Sequence, residues 1–309
     1  MSDPAPARID VVVNPAAGQP EPILAILERV FAKAGVTWQV SITHEVGDGT
    51  RLARRAVEQG ADVVVAYGGD GTVMEVANAL VGSEVPLAIL PGGTGNAVAS
   101  QLQIPTDLEA AAWLACGQEA AVRQMDVGRC RERFFLLHLS IGFTARQVAQ
   151  ATREMRDRYG LLAYAITGLQ LLPESEPLRF TFRLEEETIE FEGVSCLVAN
   201  VGSLGTYSLS LAPHIRVDDG LLDLVALPDL NLPTLVSLAT SLVSSDAEEE
   251  QPGFAHWQVR RVTIEADPPQ PVLLDGEPLG DTPVSVEIVP QALRVLVPTR
   301  PETPPGAGS

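Results

Sequence analysis

Two short runs of this sequence gather backbone N–H groups, hydroxyls and a carboxylate in the way that phosphate chemistry requires. Gly68-Gly69-Asp70-Gly71-Thr72 and Pro91-Gly92-Gly93-Thr94-Gly95-Asn96 each sit where a strand-like apolar run ends and a helical pattern begins. Glycine lacks a Cβ and tolerates positive φ, so backbone N–H groups can turn towards an anion at close range. The helix that follows adds the positive end of its dipole. Thr72 and Thr94 add hydroxyl donors. Asp70 does not belong in a passive anion site, because a carboxylate repels phosphate unless a metal ion or a transferable proton intervenes. One such loop is an ordinary strand–helix turn as readily as a site. Two in tandem, with an acid in one of them, point to phosphoryl transfer. Neither run is GxxxxGK[ST], and Lys33 is the only lysine in the chain; neither is a GxGxxG loop opening a Rossmann unit.

Two further groups of carboxylates invite chemistry but read locally as turns. Asp275-Gly276 between apolar residues 272–274 and 278–279 is a hairpin signal in its own right, and Asp218-Asp219-Gly220 is a turn of the same kind. Thr43 reads locally as a strand-end threonine. The four histidines, His44, His138, His214 and His256, are scattered and read as core or surface residues. Cys116, Cys130 and Cys196 form no CxxC pair, so they are read as buried thiols with no disulfide framework or zinc site.

The elements that must position these residues change character along the chain. Over the first 117 residues, β-branched or continuous apolar runs (9–13, 36–42, 62–66, 86–90) alternate with helical spacing (22–34, 49–59, 72–80, 96–102). Such alternation predicts an α/β domain with a parallel sheet. Both glycine runs, and Asn14-Pro15 after the first strand, then leave the carboxyl ends of parallel strands, where ligands of open α/β sheets collect. After Arg123 short strands dominate (134–140, 178–184, 188–191, 195–201, 222–226, 259–265, 272–274, 284–289, 293–297), with helical spacing at 144–158, 163–172 and 233–243. This predicts a mainly antiparallel, β-rich second domain. The expected domains are 1–123 and 124–309, with the strand near 292–298 free to belong to either. Residues 244–253 read as a solvated loop, and the tails 1–7 and 299–309 as disordered.

Composition narrows the partners. The 309 residues carry 40 acidic and 21 basic side chains, a formal net charge of −19. A polyphosphate backbone must be neutralised by basic groups before it binds tightly, so nucleic acid is excluded as a partner. A small phosphorylated ligand is not, because local dipoles and a metal ion outweigh a screened distant field. The longest apolar stretches, 161–172 and 232–243, fall short of the ~20 residues of a spanning helix, and no signal pattern opens the chain. A cytoplasmic protein is expected.

The run Gly68–Thr72, continuing as Glu75-Val76-Ala77-Asn78-Ala79-Leu80, resembles the diacylglycerol kinase catalytic-domain family. That family holds bacterial diacylglycerol kinases, sphingosine kinases and related lipid kinases, in a superfamily shared with NAD kinases. The resemblance extends in order through Val13-Asn14-Pro15, Pro91–Asn96, Met125-Asp126-Val127-Gly128, Ser140-Ile141-Gly142-Phe143, Asp218–Asp223 and Asp275-Gly276-Glu277. Met74 stands where the family usually has Asn, Ala97 where it has Asp, and Ala16-Ala17 where it has a Ser. The resemblance implies a two-domain kinase that uses ATP and Mg2+ to phosphorylate diacylglycerol or a related lipid, met by peripheral contact at the inner face of the membrane. Asn14, Thr43, Gly68, Gly69, Asp70, Gly71, Thr72 and Thr94 would line the ATP phosphates. Glu277 would be the general base, Asp70 would work with magnesium, and Asp275 would assist the metal or orient the base. Asp219, with backbone oxygens near Arg216 and Leu221, would hold a structural magnesium. With no polybasic run in view, membrane docking is expected on apolar contact around 161–172. The alternatives are an NAD-kinase-like phosphotransferase on a soluble nucleotide and a catalytically silent nucleotide or lipid sensor.

Overall fold

A computed structural model of the chain describes residues 7–17, 22–142, 177–202, 215–229 and 255–299. The helices expected at 144–158, 163–172 and 233–243 and the loop at 244–253 lie outside the described residues, as do the tails apart from Ala7 and Thr299. Among the described residues no helix is long and apolar enough to cross a membrane. The chain divides into two compact units, one of residues 1–125 and 291–309, the other of residues 126–290.

The first unit alternates β1 (Arg8–Val13), α1 (Ile23–Ala34), β2 (Thr37–Ile42), α2 (Asp48–Glu58), β3 (Val63–Gly68), α3 (Asp70–Leu80), β4 (Leu87–Pro91), α4 (Ala97–Gln101) and α5 (Leu108–Ala115). Its strands run parallel in the order β2-β1-β3-β4. Every residue of β3 and β4 is buried, as a sheet covered on both faces demands. One face sends Ile9, Val11, Val13, Val63, Val65 and Tyr67 into a core with Leu27, Val30 and Phe31 of α1 and Leu108, Ala111 and Ala112 of α5. Each large apolar side chain so buried contributes roughly 1.5–3 kcal/mol. Sequence periodicity missed α5, whose alanine-rich run carries little amphipathic contrast. Its start is nonetheless signalled: the Asp107 carboxylate accepts the Ala110 N–H at 2.8 Å, an ordinary N-cap.

Between the helices and the second unit runs β5 (Ala120–Cys130), which also went unread as a strand. It turns into β6 (Arg133–Phe135), followed by β7 (His138–Gly142), β8 (Leu178–Arg183), β9 (Thr188–Gly193), β10 (Ser195–Ala199), β11 (Leu222–Leu227), β12 (Ala255–Val259), β13 (Arg261–Asp267), β14 (Pro271–Leu274), β15 (Glu277–Asp281) and β16 (Val284–Pro298). All pairings within the second unit are antiparallel. One sheet joins β16, β13, β8 and β9; another runs β12-β11-β10-β7-β14-β15. Phe180, Phe182 and Phe191 stack, and Trp257 packs on two of these rings.

Four expected strands are cut differently. The single strand expected at 134–140 breaks at Leu136-Leu137, whose N–H groups go to the Asp275 carboxylate and not to a neighbouring strand. The one expected at 259–265 divides at Arg260 into β12 and β13. The two expected at 284–289 and 293–297 are one strand, bent where Gln291 adopts φ 52°. The last residues of β16 pair in parallel with β4, Val295 opposite Leu87, within the first unit.

Candidate functional site

The first glycine loop is shaped by close approach. None of Gly68, Gly69, Gly71, Gly92, Gly93 or Gly95 has positive φ. A Cβ on Gly68 would lie 2.4 Å from the Thr72 hydroxyl oxygen, and one on Gly93 would lie 2.5 Å from the Gly69 Cα. A Cβ on Gly92 would press on the Tyr67 ring at 3.1 Å. The two loops thus lie backbone against backbone, tied by the Gly92 N–H donating to the Gly68 carbonyl at 2.9 Å. The one strained residue is Asn96, at φ 53°. Its side chain closes the second loop on itself, accepting from the Gly93 N–H at 2.9 Å and donating to the Gly93 carbonyl at 2.7 Å.

The expected phosphate residues gather around this contact. Asn14 donates from Nδ2 to the Thr72 hydroxyl at 3.0 Å and accepts the Ala16 N–H at 3.0 Å, while its own N–H donates to the Tyr67 carbonyl. That ties the end of β1 to the first glycine loop. No side chain caps α3, whose first turn follows Gly69. Gly71 is exposed, with nothing within 4 Å of where its Cβ would stand, and Thr94 is also exposed. Thr43 is less engaged: both its N–H and its hydroxyl donate to the Val13 carbonyl, as a strand-end threonine would.

Asp70 makes a contact that the sequence did not indicate. It stands in the first turn of α3, and its carboxylate accepts the Val98 N–H at 3.3 Å, turned towards the first turn of α4. Withdrawal from water is the dominant influence and pushes the carboxyl above its usual range, against N–H groups from Asn96 to Val98 that favour the charged form. Gly95 makes room, since a Cβ there would come within 2.9 Å of Asp70 Oδ2. Of the two helix starts that the sequence offered to an anion, α4's is therefore occupied by Asp70, and α3's is without a side-chain cap. Glu75, part of the same helix, also has a structural task. Its two carboxylate oxygens accept the N–H groups of Gly47 and Gly49, at 2.9 and 2.7 Å, and hold the start of α2. A cavity of about 410 Å³ on the outer face of α2 is lined by Gly47, Thr50, Arg51, Arg54, Arg55 and Glu58, and includes none of the expected site residues.

In the second unit the Asp-Gly hairpin is confirmed between β14 and β15, Asp275 at φ 47° and Gly276 at φ 84°, with Leu274 opposite Glu277. The Asp275 carboxylate accepts three backbone N–H groups: Leu136 at 3.0 Å, Leu137 at 3.1 Å and His138 at 2.8 Å. This suits a residue that fixes the hairpin better than one that ligates metal. Glu277 is 55% exposed and accepts from Arg133 at 2.6 Å. Arg133 carried no signal in the sequence beyond its place among alternating arginines 129, 131 and 133.

The Asp219 loop rests on Asp126. Buried Asp126 accepts the Gly220 N–H at 2.7 Å and donates its own N–H to the Val217 carbonyl at 2.7 Å. Asn200 donates to the carbonyls of Asp126 and Leu136, both at 3.0 Å. Asp219 accepts the Leu221 N–H at 3.0 Å, and its carboxyl is pushed up by loss of water and then by the charges of Asp223 and Asp126. Asp223 is buried; Oδ1 meets His256 Nε2 at 2.7 Å, and among the described residues Oδ2 has no hydrogen-bond partner. Surplus negative charge and an orphaned buried oxygen fit a cation. Among the described residues no three His, Cys, Asp or Glu side chains converge on one point, so any ion here would lean on backbone carbonyls, as the expected set does.

The position of Asp70 makes a stability prediction. Unfolded, its carboxyl titrates near 3.8; folded, it titrates higher. Wild type therefore loses stability as pH rises from the unfolded value through the folded one, and a neutral amide does not. The melting temperature of Asp70→Asn minus that of wild type should rise between about pH 4 and 7, read by calorimetry across a pH series. A difference that falls over this range would contradict the assignment.

Comparison with known proteins agrees with this geometry. The diacylglycerol kinase catalytic domain matches residues 8–130, and the YegS C-terminal NAD kinase beta sandwich-like domain matches residues 138–297. A Pseudomonas aeruginosa protein named as a probable YegS-like lipid kinase is 35% identical over 268 residues, 86% of each chain. An uncharacterized Synechocystis protein is 30% identical over 84% of this chain, which spans 61% of that protein's length. A Bacillus anthracis crystal structure with a provisional diacylglycerol kinase name matches with TM-score 0.81 at 25% identity over 96% of each chain. With an N-terminal α/β unit, an antiparallel β-rich second unit and these relatives, the chain belongs to the diacylglycerol kinase catalytic-domain family, in its YegS-like lipid kinase branch.

Proposed function

We propose that this protein is an ATP- and magnesium-dependent kinase that transfers the γ-phosphate to the hydroxyl of diacylglycerol or a related lipid. The observation that carries the reading is the backbone contact between the two glycine loops, with Asn14 bonded to Thr72 of the first and the start of α3 free of a side-chain cap among the described residues. Gly68, Gly69, Gly71, Thr72, Asn14 and Thr94 hold the triphosphate, and Thr43 borders the nucleotide. Asp70 locks the second loop and places its charge beside the phosphates. Magnesium, when bound, supplies positive charge that offsets the phosphates. Glu277 takes the proton of the lipid hydroxyl as that oxygen attacks the γ-phosphorus in line and ADP departs. Asp275 holds the hairpin that carries the base. The names of the relatives favour a lipid acceptor, reached by peripheral contact with the cytoplasmic face of a membrane.

Asp70→Ala and Glu277→Gln test the two halves of the reading. Each should lose at least about 100-fold in turnover, the range expected when a positioned base or a phosphate-site group is removed. Glu277→Gln should keep its ATP affinity, since an amide preserves shape but accepts no proton. Turnover within a few-fold of wild type for Asp70→Ala, or failed ATP binding with intact turnover for Glu277→Gln, would remove that residue from its role.

The Asp219 loop is proposed as a structural magnesium site formed by Asp219 with the carbonyls of Arg216 and Leu221. A chelator should then lower the melting temperature of wild type, and Asp219→Asn should abolish that dependence. Melting indifferent to chelator in both proteins would leave the loop a plain turn.

A further inference from the structure

Glu277 stands on a strand that does little to hold its side chain. Among the described residues β15 pairs only with β14, at the edge of its sheet, and the pairing shifts register between Val272 and Leu273. Most of β15 is exposed. A glutamate in such a place keeps rotamer freedom, which must be given up before its carboxylate meets a substrate in one geometry.

The tip of the β5–β6 hairpin removes that freedom. Arg133 Nη2 donates to Glu277 Oε2 at 2.6 Å, and Arg131 Nη1 donates to the Leu279 carbonyl at 2.8 Å, so two arginines grip β15 at positions two residues apart. Arg131 reaches from the turn itself, at φ 55°. The hairpin that presents them is held firmly. Gly128 lies opposite Phe135, and a Cβ on it would come within 2.0 Å of the Phe135 ring, so the buried ring packs over bare backbone. Arg129 pairs with Glu287 lower on the same hairpin.

Stability does not account for the Arg133–Glu277 pair. Its side chains are 44% and 55% exposed, and exposed ion pairs contribute only about 0–1 kcal/mol. Its geometry does suggest a use. Arg133 engages Oε2 alone, and among the described residues Oε1 has no hydrogen-bond partner. Resting on the reading of Glu277 as the base, we infer that Arg133 is the positioning residue of that base. It anchors Oε2 and leaves Oε1 directed to the acceptor hydroxyl. Oε1 takes the hydroxyl proton as the oxygen–phosphorus bond forms, ADP leaves with the electron pair of the broken bond, and the proton passes on to water. Fixed geometry then replaces a search among rotamers. The planar guanidinium fork fixes that geometry, and a lysine ammonium would supply charge without it.

The test uses the full chain with ATP, magnesium and diacylglycerol in mixed micelles. Arg133→Ala should lower kcat by about 10–100-fold, part of the contribution of a positioned base, with the KM for ATP and the melting temperature little changed. Arg133→Lys should recover part of the loss, and millimolar guanidinium ion should restore turnover to Arg133→Ala. In a Glu277→Gln background, Arg133→Ala should change the residual rate less than about twofold, because it acts through Glu277. Wild-type kcat in Arg133→Ala alongside an impaired Glu277→Gln would overturn this inference and leave the base assignment standing. Equal losses from Arg133→Ala in both backgrounds would also overturn it, by placing Arg133 on the substrate. Wild-type kcat in Glu277→Gln would overturn both. Should Arg133→Ala melt early, Arg133→Lys and Arg133→Gln carry the same comparison.

Discussion

The arrangement rests on a contact with no side chains in it: Gly69 against Gly93, where a single added carbon would lie 2.5 Å from the opposing Cα. Everything proposed for the phosphate site follows from that proximity. It brings the ends of β3 and β4 together, tied by the hydrogen bond from the Gly92 N–H to the Gly68 carbonyl. It seats Thr72 over Gly68, and Asn14 reaches the Thr72 hydroxyl from the end of β1. It also brings the Asp70 carboxylate to the first turn of α4. Folding here holds a carboxylate away from water, at a cost that shows as its raised pKa and that a magnesium-bearing nucleotide would offset.

The second unit solves a different problem with the same kind of chemistry. Its hairpin must present Glu277 to solvent without letting it wander, and it does so by dividing the labour between two acids. Asp275 is saturated by three N–H groups at the break between β6 and β7, which fixes the turn. Glu277 keeps one oxygen on Arg133 and stays open to water. Asp126 and Asn200 perform the equivalent anchoring for the loop of Asp219, and there loss of water, and after it the charges of Asp223 and Asp126, push the Asp219 carboxyl up. Carboxylates filled by backbone N–H groups build the scaffold, and the less satisfied ones are those proposed to meet ligands.

Much of this was legible in the sequence. The alternation of apolar runs and helical spacing gave the parallel unit and its glycine loops, because strands buried on both faces leave a strong mark. The Asp275-Gly276 turn was readable from two residues, since both need positive φ. What escaped depended on long-range partners. α5 was missed because alanine blurs amphipathic contrast, and the division of 134–140 because its cause, Asp275, lies far along the chain. Of the two properties that the sequence reading gave the glycines, the missing Cβ is the one the loops use, and the sequence could not show that Asp70 faces α4. Arg133 was invisible for the same reason: its meaning exists only once β5–β6 and β15 are side by side.

The most direct test of the whole account is ADP release by the wild-type protein with ATP and magnesium, offered diacylglycerol and related lipids in mixed micelles or, separately, NAD. The account predicts ADP release that requires a lipid, matches the phosphorylated lipid formed one for one, and does not occur on NAD. Turnover on NAD with no phosphorylated lipid would contradict it, as would ATP binding without ADP release for any acceptor.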